Sequence, residues 1–266
     1  MRAVLGVELA KLGAQWRLRV ALLLVLVAPP LVTAVLQAQT GLPTDTLYGR
    51  WVQEIGLSVP LVLLGSAGAW GIPVLASLVS GDLLSSEDGH GTWGLMLSRS
   101  RTRWQVFGGK VAAAGVVTVV LVTALAVSSV LAGVLLVGDQ PLVGLTGQPV
   151  PFGRGLLLVG ASWLSTVPGA LAVAAGALLA SALSRNSLVG VVVPVAVSFV
   201  AGLVALLAPL GGLRPILLAP GAWHGLLRED AQGGPVLLGA LAGVAWTAVL
   251  LVATVLVLRR RDWAVP

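Results

Sequence analysis

Residues 111–138 read V-A-A-A-G-V-V-T-V-V-L-V-T-A-L-A-V-S-S-V-L-A-G-V-L-L-V-G, a run without one charged side chain. A helix needs about 20 predominantly apolar residues to cross the hydrocarbon core of a bilayer, and this run exceeds that. Working outward from it, five further apolar spans can be drawn, so that the set is 20–36, 55–80, 111–138, 155–183, 187–210 and 235–258. Of the 266 residues 57% are hydrophobic and 10% charged, with mean hydropathy +1.00, whereas a soluble domain carries about 25% charged residues. The fold class expected is an all-α polytopic membrane protein, a single transmembrane domain over 1–266. Connections between spans stay below the ~50 residues of an independent domain. Any catalytic domain would have to be supplied by another chain.

The Lys and Arg residues sort by side. With both termini inside, the inner side holds Arg2, Lys11, Arg17, Arg19, Arg99, Arg101, Arg103, Lys110, Arg185, Arg259, Arg260 and Arg261, and the outer side Arg50, Arg154, Arg214 and Arg228. Twelve against four orients the chain by the positive-inside rule and places both ends in the cytoplasm. A pI near 11.3 is explained by this flanking and by anionic headgroups, not by nucleic acid. Cysteine is absent, which removes disulfides, thiolate metal sites and thiol nucleophiles.

The first span follows Arg17 and Arg19 as a signal peptide would, but Glu8 in its long leading region and Pro29-Pro30 inside it favour a retained helix. Ahead of it, Leu5, Leu9, Leu12 and Trp16 recur at helical spacing while Glu8, Lys11 and Gln15 share another side. Two readings remain: an amphipathic helix over 2–18 lying in the inner interface, or a simple extension of the first span. Pro60, Pro73, Pro168 and Pro194 each remove a backbone donor, so bends are expected there. Gly65, Gly68 and Gly71, Ala172, Ala175 and Gly176, and Gly239-x-x-x-Gly243 permit close helix approach, read as internal packing.

No ionisable residue lies well inside any of these spans, and proton-driven carriers keep a titratable group at depth. The phosphate-binding pattern is missing too: Gly108-Gly109-Lys110-Val111 has Trp104 where the first glycine should be and Val111 where the hydroxyl should be. Sodium coupling stays open, since broken helices can bind that ion with backbone carbonyls; otherwise the energy for transport is expected from outside this chain.

The longest charged interruption is 80–110, S-G-D-L-L-S-S-E-D-G-H-G-T-W-G-L-M-L-S-R-S-R-T-R-W-Q-V-F-G-G-K. Asp82, Glu87 and Asp88 come first and Arg99, Arg101 and Arg103 last, matching the dipole of a helix between them. Leu95, Met96 and Leu97 add an adaptable apolar contact. From the residues alone, a force-transmitting helix and a solvated connector that anchors topology stand equal.

This stretch resembles the permease subunits of type-2 ATP-binding-cassette exporters, in particular the small six-span permeases of bacterial drug and bacteriocin-resistance systems. The likeness is carried by Gly81-Asp82, Ser86-Glu87-Asp88, Gly91-Thr92, the 95–97 apolar run, Ser98-Arg99-Ser100-Arg101 and Gly109-Lys110. It implies a half-transporter in the bacterial inner membrane, pairing with a second permease copy, identical or different, above two cytoplasmic ATPase subunits that carry ATP and Mg. The chain itself would bind no cofactor and be no enzyme. The loop 81–110 would be a cytoplasmic coupling helix between the second and third spans, its interface made by Asp82, Glu87, Asp88, Gly91, Thr92, Arg99, Arg101 and Arg103. The N-terminal helix would help cradle the ATPase, and the outer connection 211–234 would dip back into the membrane. The connection 139–153, rich in Pro and Gly, reads as an exposed loop.

Other chemistry fares worse. Ser162 follows Gly160-Ala161, but a serine nucleophile needs a base within hydrogen-bond reach, and His90 and His224 fall on opposite sides of the membrane. The same separation rules out a two-histidine metal site. The alternative that stays open is a secondary transporter or channel independent of any ATPase. Uncharged spans imply an apolar or amphiphilic cargo, although Ser66, Ser77, Ser128 and Thr166 offer hydroxyls to a more polar one.

Overall fold

In a computed structural model the described residues are 2–39, 41, 48–86, 102–205, 221–228 and 233–260. Helix α1 (Arg2–Ala14) breaks at extended Gln15, and α2 (Trp16–Ala38) is the first span. The second span is α3 (Ser58–Ser66), a π-helical turn (Ala67–Gly71) and α4 (Ile72–Ser80). The third is α5 (Arg103–Leu136). A two-stranded hairpin, β1 (Leu142–Val143) with β2 (Pro149–Val150), precedes the fourth span, which is α6 (Phe152–Leu164) and α7 (Val167–Ser184). The fifth is α8 (Ser187–Val204), and after a 3-10 turn (Ala222–Leu227) comes the sixth, α9 (Gly234–Arg259). All six are long and apolar enough to cross a membrane. Among the described residues the chain is all-α, as expected, with one small hairpin.

The bundle is organised around α7. Its alanines, among them Ala172, Ala175 and Ala177, are buried, and α4, α5, α8 and α9 all pack on it. In lipid no hydrophobic force drives helices together, so small residues that let backbones approach serve instead. Gly243 of α9 meets Pro168: an added Cβ would stand 2.6 Å from the Pro168 carbonyl carbon. That assigns Gly239-x-x-x-Gly243 to internal packing, as expected. At the far end of the second span, a Cβ on Gly81 would lie 2.6 Å from the carbonyl carbon of Gly190 in α8.

The prolines behave in three ways. Pro60 sits in the first turn of α3, where a missing donor costs nothing, so the bend expected there is not formed. Pro73 follows the π turn, in which the Ile72 N–H reaches back to the Ala67 carbonyl. Pro168 opens α7 after the break at Ser165-Thr166. Pro194 and the Pro29-Pro30 pair are retained inside continuous helices.

Pro30 shows how a freed carbonyl is satisfied. It cannot donate to Leu26 four residues earlier, and the Ser128 hydroxyl of the third span donates to that Leu26 carbonyl at 2.8 Å instead. Ser128→Ala is therefore expected to cost about 1 kcal/mol, read as a lowered Tm in detergent, whereas Ser129→Ala, whose hydroxyl bonds within its own helix, should cost less.

Two expectations need correction. The 139–153 connection is not simply exposed: Leu142 pairs with Val150 across the hairpin and both are buried. Gly147 at φ 86° makes the turn, and the Leu145 N–H donates to the Leu227 carbonyl at 2.9 Å. The hairpin thus rests on the 3-10 turn. For α1, Leu12 is buried and Leu5 and Leu9 pack partly buried against the core, but Val4 and Glu8 are buried beside them and Trp16 is 72% exposed. The Glu8 carboxylate, on another side from the leucines in the sequence pattern, is buried because it has a partner remote in sequence.

Candidate functional site

That partner is Lys110. Its Nζ lies 3.0 Å from Glu8 Oε2, with side chains 1% and 2% exposed. Lys11 reaches the other Glu8 oxygen at 3.6 Å. The third span begins eight residues earlier than the apolar run, because Thr102 and Gln105 form a reciprocal capping box at its start. Lys110 is therefore inside the helix and buried, an ionisable residue that the apolar count left at the membrane edge. Gly109 lets α1 approach: an added Cβ would fall 2.5 Å from Val4 Cγ1.

Asp82, at the opposite limb of the 80–110 segment, accepts from Arg17 Nη1 at 3.5 Å. The same nitrogen donates to Ser187 Oγ at 3.4 Å. Arg259 stands over the Trp104 ring at 5.5 Å. Arg17, Asp82, Trp104, Ser187 and Arg259 belong to the ends of spans one, two, three, five and six that the charge count placed together, and they meet in two groups, Arg17 with Asp82 and Ser187, and Arg259 with Trp104. Both limbs of the connecting segment are thus gripped by the N-terminal 17 residues, through Asp82–Arg17 and Lys110–Glu8. Among the expected interface residues, Arg103 opens α5; Glu87, Asp88, Gly91, Thr92, Arg99 and Arg101 lie outside the described residues, as do the coupling helix they would form and most of 211–234.

The second feature is a cavity of about 800 Å³ between spans two, four, five and six, within the usual range for ligand sites. Three backbone irregularities lie on its walls: Gly68 and Ala69 of the π turn, Ser165-Thr166 at the break in the fourth span, and Pro194. Trp223 of the 3-10 turn closes one end; Leu183 and Ser184 stand at the other. Among the described residues no charged side chain lines it. Its hydroxyls are already committed to carbonyls: Ser165 to Ser162, Thr166 to Trp163, Ser184 to Ala180 and Ser198 to Pro194, all at 2.7–2.8 Å. Ser66 and Ser128 are likewise engaged with backbone; Ser77 Oγ alone of the four hydroxyls read as cargo contacts has no partner among the described residues.

Next to the Leu183 end, α7 stops on Arg185 at φ 54°. Glycine usually takes that left-handed position, and an L-residue with a Cβ pays about 1 kcal/mol there. The exposed Arg185 side chain makes no ion pair among the described residues.

Ser162 is fully buried and donates to the Leu158 carbonyl at 2.8 Å. Among the described residues no group of three His, Asp or Glu gathers as metal ligands.

No protein-family model matches the chain, and no curated protein sequence matches it. What fold and site define is a class: an all-α chain with six helices long and apolar enough for a membrane, enclosing an uncharged cavity.

Proposed function

We propose that this chain is the permease subunit of an ATP-driven transporter, energised by a separate ATPase and exporting an apolar or amphiphilic cargo. One observation supports the reading above others: the segment between the second and third spans is held at both limbs, by Arg17 on Asp82 and by Glu8 on Lys110. A push on that segment from outside the membrane would move the N-terminal helix and the first span with it, which a loose connector could not do. The cavity gives the cargo a path with no charge to bury and, in the hydroxyls of its wall, no free donor. On this reading the segment is the coupling element and α1 the interfacial helix. The termini and the Arg17–Asp82 cluster face the cytoplasm of a bacterial cell, two cytoplasmic ATPase subunits bind ATP and Mg beneath, and a second permease copy completes the path.

The test is biochemical. Purified from its native membrane in mild detergent, the chain should carry a nucleotide-hydrolysing subunit with it. Glu87→Ala and Gly91→Trp should lower cargo-stimulated ATP turnover of that complex while the chain still inserts and purifies. Unchanged stimulation in both variants would remove the coupling role.

A further inference from the structure

The cavity and Arg185 together specify a ligand more closely than "apolar". The geometry points to an anionic phospholipid, with an acyl chain in the cavity between spans two, four, five and six and its phosphate on Arg185.

Three observations carry this. First, four hydroxyls in the cavity wall already donate to carbonyls at 2.7–2.8 Å. A ligand group that needed those donors would have to break a helix hydrogen bond, so hydrocarbon fits best. Second, the cavity is continuous with the surface that a bilayer would meet: Leu183, Val193 and Val197 line it and are also 64%, 44% and 62% exposed. The molecules waiting at that opening are lipids. Third, Arg185 follows Leu183 and Ser184 of the lining, is exposed, and holds a backbone conformation that glycine would adopt without strain. It makes no ion pair among the described residues, where Asp82 pairs with Arg17. Arginine suits a phosphate through its fork of donors, and anionic lipids concentrate in the cytoplasmic leaflet, the side to which the excess of Lys and Arg assigns this end.

A second copy of the chain is the competing occupant. A two-fold interface sets a patch against itself, and two concave surfaces facing each other enclose the space without filling it. The proposal therefore does not depend on whether the chain dimerises, nor on the ATPase reading.

The experiment uses the full chain, reconstituted with equal phosphatidylglycerol and phosphatidylcholine of identical acyl chains, and counts retained lipid by native mass spectrometry. The native chain should retain the glycerol lipid about fivefold over the choline lipid, the factor that one arginine near a membrane surface supplies. Arg185→Gly should bring the ratio to about one without lowering the Tm, since it relieves the left-handed backbone, and Arg185→Lys should keep most of the preference. Gly169→Phe should expel both lipids: Gly169 lines the cavity and its Cβ position has nothing within 4 Å, so the ring enters the void. Equal retention by the native chain, a preference that survives in Arg185→Gly, or a Gly169→Phe chain that changes only its oligomeric state would each overturn the proposal.

Discussion

Glu8→Ala should destabilise the folded chain by about 3–5 kcal/mol, the cost of taking one partner from a buried ion pair. The carboxylate it removes stands 3.0 Å from an ammonium that is 1% exposed. Glu8→Ala should also release α1, because Lys110 is its charged anchor on the third span. The expected readout is a Tm lower by several degrees, together with proteolytic cleavage near Gln15, where the helix is already broken. The double substitution Glu8→Met with Lys110→Met should recover most of the stability, since a well-packed apolar pair often equals a buried ionic one. If the single variant unfolds at the native temperature and cuts no faster, the pair does not hold α1. A double variant as stable as the native chain that has lost transport would locate the role of the charges in movement and not in folding.

Gly81→Leu is expected to have the next largest effect, about 3 kcal/mol. Its Cβ would stand 2.6 Å from the Gly190 carbonyl carbon and 2.9 Å from the Ser77 carbonyl oxygen. Both are backbone atoms, so no rotamer change makes room, and α4 and α8 must separate. Gly65→Leu is the control: its Cβ position has nothing within 4 Å, and the same substitution there should leave the Tm nearly unchanged. Equal effects at both positions would mean that the close crossing at Gly81 does not exist. Gly81 entered the sequence reading as part of a motif likeness; its contact with Gly190 gives it a packing reason independent of any coupling role.

The six spans were legible because a membrane leaves few choices: backbone groups in hydrocarbon must bond within the helix, and side chains facing lipid must be apolar. Each apolar run therefore marks a helix whatever its neighbours are. Limits of spans were less legible. The third span starts at Arg103, and the Thr102-x-x-Gln105 box that starts it was in plain view, but hydropathy hides it beneath three arginines and a lysine. The break at Ser165-Thr166 could be read from Pro168, although Pro60 gave the same signal and merely opens a helix. What could not be read was pairing between distant residues. Glu8 and Lys110 are 102 positions apart, and neither the stripe on α1 nor the charge count indicates that they meet. The cavity was likewise invisible, since its walls come from four spans and share only smallness and irregular backbone.

The central claim is that this chain moves its cargo only with work delivered by another protein. Reconstitution into liposomes tests it directly, with a fluorescent amphiphile as cargo and the co-purified ATPase present or omitted. The account predicts movement that requires ATP and the ATPase and is indifferent to proton or sodium gradients. Transport by the chain alone, driven by an ion gradient without ATP, would contradict it.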